Sequence, residues 1–481
     1  MLARVRIWCL AAAVLATTAC HSSSPSAPSS ACTLSPPAAP DWRLHTDGTL
    51  LEDSLNRVVF LRGVDGGGRS KWSPYMPFEY ASESDFPAAL ASYVDRAATW
   101  GIDSMRVPWT WAALEPTKGT YDMGWLSRYE QLVDALWAKG IYSVVDFHQD
   151  VYSECLCGDG FPCWTIANPM PPMHDCPMWS LEYLENTGVE HAFDAFWAPG
   201  AVQTEYLAAW DQMIKVFADK PGVVGFEPIN EPASGSASAG TFEETTLTDF
   251  YSMMIAHMSG LAPKVLVFVD TTGFNGTFVE TNLNRPTGNF VFAPHFYPAL
   301  NASIEYVPTG LQVWSNLGAK WNVPTWVGEF GTGHGKADAL AYMTAHFAAF
   351  DALGLGGAEW EYSVETTLWN GETNSLVAAD GGEYPVAKAV IRPYARAVAG
   401  RSISQSYDPA SGAFTLTYTP ATGITEVAAP ARAYPSGMSV TVSAGCYDAT
   451  SVPGKVLVDA QGATGPLTVT LTSPVALSDG G

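Results

Sequence analysis

Eight short, mostly apolar runs recur along the chain, at residues 57–64, 102–109, 142–148, 222–231, 265–270, 289–297, 325–331 and 357–362. They are apolar nearly throughout rather than alternating, as strands buried on both faces of a parallel sheet must be. Between them, Phe86–Trp100, 125–139, 204–219 and 337–353 place Ala, Leu and Trp at three- and four-residue spacing, the mark of helices with one buried face. Eight β-then-α units predict an α/β chain folded as a (β/α)8 TIM barrel with insertions. A doubly wound open sheet is the alternative, but no Gly-rich phosphate turn follows the first run, and Gly66-Gly67-Gly68 lacks the required spacing.

Past Gly400 the period changes. Residues 414–418, 438–443, 456–458 and 467–471 alternate in twos, with Pro and Gly turns between them, as in a small antiparallel β-sandwich. The expected organisation is a barrel over 41–398 and a sandwich over 399–481. Ahead of them, Arg4 and Arg6 precede an apolar run at 7–16 that is too short to span a bilayer, so 1–20 reads as a signal peptide. Its end, Thr17-Thr18-Ala19-Cys20, resembles a bacterial lipoprotein signal, which implies a lipidated Cys20 tethering the chain to a membrane; an ordinary cleaved signal is the alternative. A Ser/Pro/Ala-rich tether fills 21–40. The mature protein is therefore expected to be exported, as a cell-surface lipoprotein or secreted.

Export puts the cysteines in an oxidising compartment. Cys155, Cys157, Cys163 and Cys176 have a spacing that matches no usual zinc pattern, so two local disulfides are expected, with the pairing open, as it is for Cys32 and Cys446. The net charge of −24 repels phosphate backbones and anionic lipid headgroups, which argues against nucleic-acid partners. Neutral sugars are not repelled, and the 17 Trp, 20 Tyr and 21 Phe supply rings to stack on them.

A barrel carries its functional groups at the C-terminal ends of its strands. Those ends read Arg106, then His148 and Asp150, Asn230 and Glu231, His295 and Tyr297, Glu329, and Trp360. Polar groups thus gather at one rim of six strands. Glu231 and Glu329 fall on the fourth and seventh runs, across the barrel from each other. Two carboxyls facing across a cleft suit glycosidic bond cleavage, one protonating the leaving oxygen while the other attacks the anomeric carbon. Taken singly, Glu231 could be a capping carboxylate and Glu329 a partner for Arg106.

Asn230-Glu231-Pro232 and Gly328-Glu329-Phe330-Gly331 resemble the signatures of glycoside hydrolase family 5, a clan of retaining β-glycosidases. That family's Arg, His, His-x-Tyr pair and strand-eight Trp match Arg106, His148, His295, Tyr297 and Trp360, and its Asn matches Asn230. The resemblance implies Glu231 as acid/base, Glu329 as nucleophile, and no metal, cofactor or stable protein partner. More narrowly, Asp146-Phe147-His148-Gln149-Asp150 resembles the strand-three motif of the endoglycoceramidases, which implies a sugar contact at Asp150. Lys71 ahead of Ser73-Pro74-Tyr75 is similar to their strand-one lysine, and Phe193–Trp197 to the segment that offers a sugar-stacking tryptophan, implying Trp197. Residues 392–400 and 433–437 resemble their linker and C-terminal sandwich, while 64–70 and 155–176 depart from their form.

The resemblance implies cleavage between oligosaccharide and ceramide in glycosphingolipids. An endo-β-1,4-glucanase or β-mannanase is the alternative among enzymes, and a non-catalytic carbohydrate-binding surface protein the alternative outside them. The loop from Cys155 to Trp179, with Phe161, Trp164, Ile166, Met170, Met173 and Met178, either borders the cleft as a greasy apron or forms its own small core.

Overall fold

The structure is a computed structural model that describes residues 30–37, 41–298, 302–364 and 369–474. The expected signal peptide with Cys20, and most of the 21–40 tether, lie outside the described residues. Eight parallel strands form the centre: β1 Arg62–Asp65, β2 Ser104–Trp109, β3 Tyr142–Phe147, β4 Val223–Glu227, β5 Leu266–Val269, β6 Val291–Phe292, β7 Trp326–Phe330 and β8 Gly356–Glu359. They pair in chain order from β1 to β6, and β8 pairs with both β1 and β7. Bridges from Phe292 to Thr325 and Phe296 to Phe330 close the ring between β6 and β7.

Helices α1 Phe86–Trp100, α2 Met123–Ala138, α3 Ala201–Phe217, α4 Thr248–Leu261, α5 Gly273–Phe278, α6 Val307–Trp321 and α7 Ala339–Leu353 lie between the strands, with a further helix, Thr187–Trp197, between β3 and α3. Leu90, Tyr93, Val94, Ala97 and Trp100 give α1 a buried stripe at helical spacing. The Asp122 carboxylate accepts the Trp125 N–H at 2.8 Å and starts α2.

Two expected strands are shorter than their apolar runs. Pro228 and Pro294 lack the N–H a ladder needs, so β4 stops at Glu227 and β6 keeps two residues. The run at 57–64 splits, because Val58–Val59 pairs antiparallel with Val398 and Ala397 and only Arg62–Asp65 enters the barrel. The hairpin Leu44–Asp47/Leu50–Asp53 continues the same outer sheet. Residues 44–59, expected in the barrel, therefore belong to a sheet shared with Tyr394–Val398, Ile424–Ala428 and Lys455–Asp459. Periodicity shows that a strand exists but not which edge it joins. A second, four-stranded sheet packs Phe414, Leu416, Val469 and Leu471 against Val427, Val456 and Val458 of the first.

Inside the barrel, Val144, Val224, Leu266, Phe268, Val291, Trp326 and Ala358 fill the N-terminal end. Arg106, Asp146 and Glu227 are buried one layer higher. The apolar floor leaves the charged layer nowhere to go but the opposite rim. In the loop after β3, Cys155 bonds Cys163 and Cys157 bonds Cys176, the two local disulfides expected. Cys32 bonds Cys446 and ties Ser30–Ala31 to the sandwich strand Cys446–Asp448. That bridge spans 414 residues, so replacing both cysteines by Ser should lower stability by about 2–4 kcal/mol, seen as a fall in Tm without reductant. An unchanged Tm would mean that the N-terminal arm contributes nothing.

Candidate active site

Everything at the rim is organised around one guanidinium. Arg106, fully buried on β2, donates through Nε and Nη2 to both oxygens of Glu227 at 2.8 and 2.9 Å. Its Nη1 reaches Asp65 at 3.1 Å and Glu329 at 2.7 Å. Nη2 also reaches the Asn230 side-chain oxygen at 2.8 Å and Asp146 at 3.1 Å. Burial pushes Asp65 and Asp146 well above the ordinary carboxylate range, with the Arg106 charge pulling back. Burial likewise raises Glu329, with His295 and Arg106 opposing it. Tyr297 donates its hydroxyl to the other Glu329 oxygen at 3.1 Å, so both oxygens of that carboxylate are held.

Glu231 lies opposite. The chain leaves β4 through Pro228 and turns at Glu231 with φ +37°, a left-handed backbone that aims the side chain over the rim. The Glu231 N–H donates to Asp270 at 2.9 Å, and its side chain lies 2.8 Å from His295 Nδ1. A Cβ on Gly273 would come within 2.6 Å of the Glu231 carboxylate, so a side chain at the start of α5 would push that carboxyl aside. Burial, reinforced by the Asp150 charge, pushes the Glu231 carboxyl up to about 8. His295 is pushed down to about 4 by burial and stays neutral at pH 7. One oxygen each of Glu231 and Glu329, with a nitrogen of His295, lie within 4.8 Å of one another. The same three groups could in principle ligate a metal ion, but one would compete with the Arg106 charge for Glu329.

The cleft above them, about 830 Å³, has two unlike walls. On one, Lys71 bonds Asp150 at 2.5 Å, His148 stacks on Trp360 with centroids 5.1 Å apart, and the Trp360 indole N–H donates to Glu372 at 3.2 Å. Burial works to raise Asp150, but Lys71 outweighs it and holds that carboxyl down at about 2. Burial raises Glu372 to about 8 against the pull of Lys71. The other carries exposed apolar side chains among polar ones: Phe274 and Phe278 of α5, and Leu184 of the short helix Glu182–Glu185, are 40%, 48% and 67% exposed, beside Asn275, Thr277 and Glu280.

Ten of the eleven residues singled out from sequence thus meet at one rim, the exception being Trp197. Its indole packs on Phe196, Phe242 and Phe250, donates to the Ala233 carbonyl at 2.7 Å, and lies behind the cleft wall. The loop after β3 divides. Phe161 is fully buried against Tyr152 and Trp164 packs edge-on to Trp111, as a private core would have them. Met170, Met173 and Met178 are exposed without lining the cleft, and Trp179 alone of the aromatic and Met side chains reaches it. Asp65, Asp146, Glu227 and Asp270 carry no sequence signal of their own, because each is an isolated acid within or next to an apolar run. Only the count of acids in or beside those runs, against one arginine, could have pointed to them.

A barrel whose rim opposes two buried carboxyls at this separation defines a retaining O-glycoside hydrolase, because inversion needs room for a water between carboxyls about 6.5–9.5 Å apart. Residues 72–371 match the family described as Cellulase (glycosyl hydrolase family 5), and 392–471 match the Glycoside hydrolase family 5 C-terminal domain. The chain belongs to glycoside hydrolase family 5. It is 30% identical over 471 residues to endoglycoceramidase I of Rhodococcus hoagii (strain 103S), covering 91% of this chain and 90% of that protein. It is also 30% identical over 210 residues to an endoglycoceramidase of Cyanea nozakii, 38% of this chain and 40% of that one. The solved structure of endo-glycoceramidase II from Rhodococcus sp. as a lactosyl-enzyme intermediate matches with TM-score 0.73 and 25% identity, over 89% of this chain and 100% of that chain.

Removing the one cation at the centre should be costly. Arg106→Leu leaves four carboxyls uncompensated and should lower unfolding free energy by about 3–5 kcal/mol at neutral pH. Carboxyls whose folded pKa is raised destabilise above that pKa, so the variant should regain stability as pH falls towards 5. Denaturant midpoints at both pH values test this; equal losses would mean the deficit is one of packing.

Proposed function

We propose that the protein hydrolyses the bond between oligosaccharide and ceramide in glycosphingolipids, with Glu329 as nucleophile and Glu231 as acid/base. The observation that carries the aglycone is the set of exposed apolar side chains lining the cleft, Phe274, Phe278 and Leu184, with α5 beginning against the Glu231 carboxylate. The acid protonates the leaving oxygen, so what lies beyond Glu231 is the leaving group. Burying each 100 Å² of ceramide there is worth about 2.5 kcal/mol before ordering costs. The opposite wall suits the glycan. Trp360 offers a ring, Lys71, Asp150 and His148 offer hydroxyl partners, and Asn230, His295, Tyr297 and Arg106 orient the carboxyls. The names of the related endoglycoceramidases support the same reading.

In the first half-reaction Glu329 attacks the anomeric carbon while Glu231 gives its proton to the ceramide oxygen. In the second, Glu231 takes a proton from water as that water displaces the sugar from Glu329. Export as a secreted or Cys20-lipidated protein belongs to the same proposal, supported by the three disulfides among the described residues.

Product analysis decides the substrate class. Lactosylceramide or a ganglioside should yield intact oligosaccharide and ceramide, while soluble cellulose and mannan remain whole; the reverse pattern would establish a polysaccharidase. Replacing Phe274, Phe278 and Leu184 together by Ser should raise KM for lactosylceramide about tenfold or more and leave an aryl β-lactoside nearly unchanged. The corresponding changes at Met170 and Met173 should affect neither.

The pH profile follows from the pair. Glu231 must be protonated to act as acid, so activity should fall as pH rises through about 8. Glu329 must be ionised and burial raises it, so the acid limb should lie above the ordinary carboxylate value of 4.5. A flat profile up to pH 10 would remove Glu231 from the acid role.

A further inference from the structure

We propose that Asp270, at the C-terminal end of β5, is a positioning residue for the acid step, holding Glu231 by its backbone and, through His295, by its side chain. The proposal rests on the reading of Glu231 as acid/base. Asp270 is fully buried and makes two kinds of contact with that residue. Its Oδ2 accepts the Glu231 N–H at 2.9 Å, which steadies a non-glycine residue at φ +37°. The same oxygen lies 3.4 Å from His295 Nε2, and His295 Nδ1 lies 2.8 Å from Glu231 Oε1. Among the described residues His295 Nε2 makes no hydrogen bond, and this Asp270 oxygen is the carboxylate oxygen that faces it. Asp270, His295 and Glu231 therefore form one line ending on the acid.

A neutral imidazole carries one N–H. With that hydrogen on Nε2, facing Asp270, Nδ1 is an acceptor that only protonated Glu231 can satisfy. With it on Nδ1, the ring donates to Glu231 and favours the ionised form, which is wrong for an acid. Both Asp270 oxygens accept a backbone N–H, Oδ1 from Thr271 and Oδ2 from Glu231, so the oxygen that faces Nε2 is an acceptor and favours the first arrangement. An amide there cannot serve all three neighbours: with its oxygen on the Glu231 N–H its NH₂ meets the Thr271 N–H, and turned over its NH₂ loses the Glu231 N–H and donates to Nε2, which reverses the arrangement. The other charged groups facing Glu231 are Asp150, Lys71, Arg106, Glu227 and Glu329, none of which touches His295 Nε2 more closely than Asp270 does.

Leaving-group dependence separates positioning from mere structural support, because a good leaving group departs without a proton. Asp270→Asn should lower kcat/KM about 100-fold on lactosylceramide and less than about threefold on dinitrophenyl β-lactoside, and should move the alkaline limb about one pH unit lower. Equal losses on both substrates with an unmoved limb would overturn the proposal. Glu231→Ala, run in parallel, tells the two claims apart. If it too loses both substrates equally, the acid/base reading fails. If it spares the dinitrophenyl substrate while Asp270→Asn does not, only the role of Asp270 fails. Should Asp270→Asn not fold, His295→Gln breaks the same line nearer the acid and is judged on the same two substrates.

Discussion

The buried guanidinium of Arg106 is the interaction on which the rim depends. It sits on β2 yet binds groups from β1, β3, β4 and β7, so four other strands must arrive in register to surround it. Desolvating one cation and four acids costs more than their pairing returns unless nearly every donor is used. Here every guanidinium nitrogen has an acceptor. The cage contributes little net stability by itself. What it provides is a unique arrangement, because a strand that slipped by one residue would leave a charge buried without a partner. Glu329 is the one carboxylate of the cage that also opens onto the cleft.

Much of this was legible in the sequence, because a barrel writes its period into the chain. The eight apolar runs mark the eight strands, and Arg106, Glu231, His295, Tyr297 and Glu329 close runs that share a rim. What escaped depends on partners distant in the chain. Val58–Val59 looks like the start of a barrel strand until Val398 and Ala397 take its edge. Asp65, Asp146 and Glu227 look like loop-entry acids until the closed ring turns all three towards Arg106. Trp197 reads as a sugar platform because local sequence cannot tell which face of a helix meets solvent. The Met residues of the β3 loop are greasy and exposed, but the greasy wall of the cleft comes from α5 and from Leu184, where two Phe and one Leu left no sequence signal.

The two walls divide the work by physical type. Ammonium, carboxyl and indole groups on one side offer directional bonds, and Lys71 keeps one of its acids ionised while burial neutralises another. Apolar surface on the far side recognises area rather than pattern, which suits a leaving group of variable chain length. With a net charge of −24 the protein gains nothing from anionic headgroups, so selectivity for an amphipathic partner has to come from that surface.

Two glutamates on one rim sit in unlike environments because their partners differ in kind. Glu329 has a cation on one oxygen and a hydroxyl donor on the other, and both favour the ionised form. Glu231 has no cation in contact. It faces a neutral imidazole, lies in the field of Asp150, and is reached by the crowded approach of α5 at Gly273. The strained turn at Glu231 is what separates the two environments. Continued as a regular strand, β4 would alternate its side chains between the barrel interior and the helices, and a carboxyl turned inward at that height would come against Arg106 and its acids. The left-handed turn lifts the Glu231 carboxyl out of contact with Arg106, and burial with the Asp150 charge then raises it to about 8.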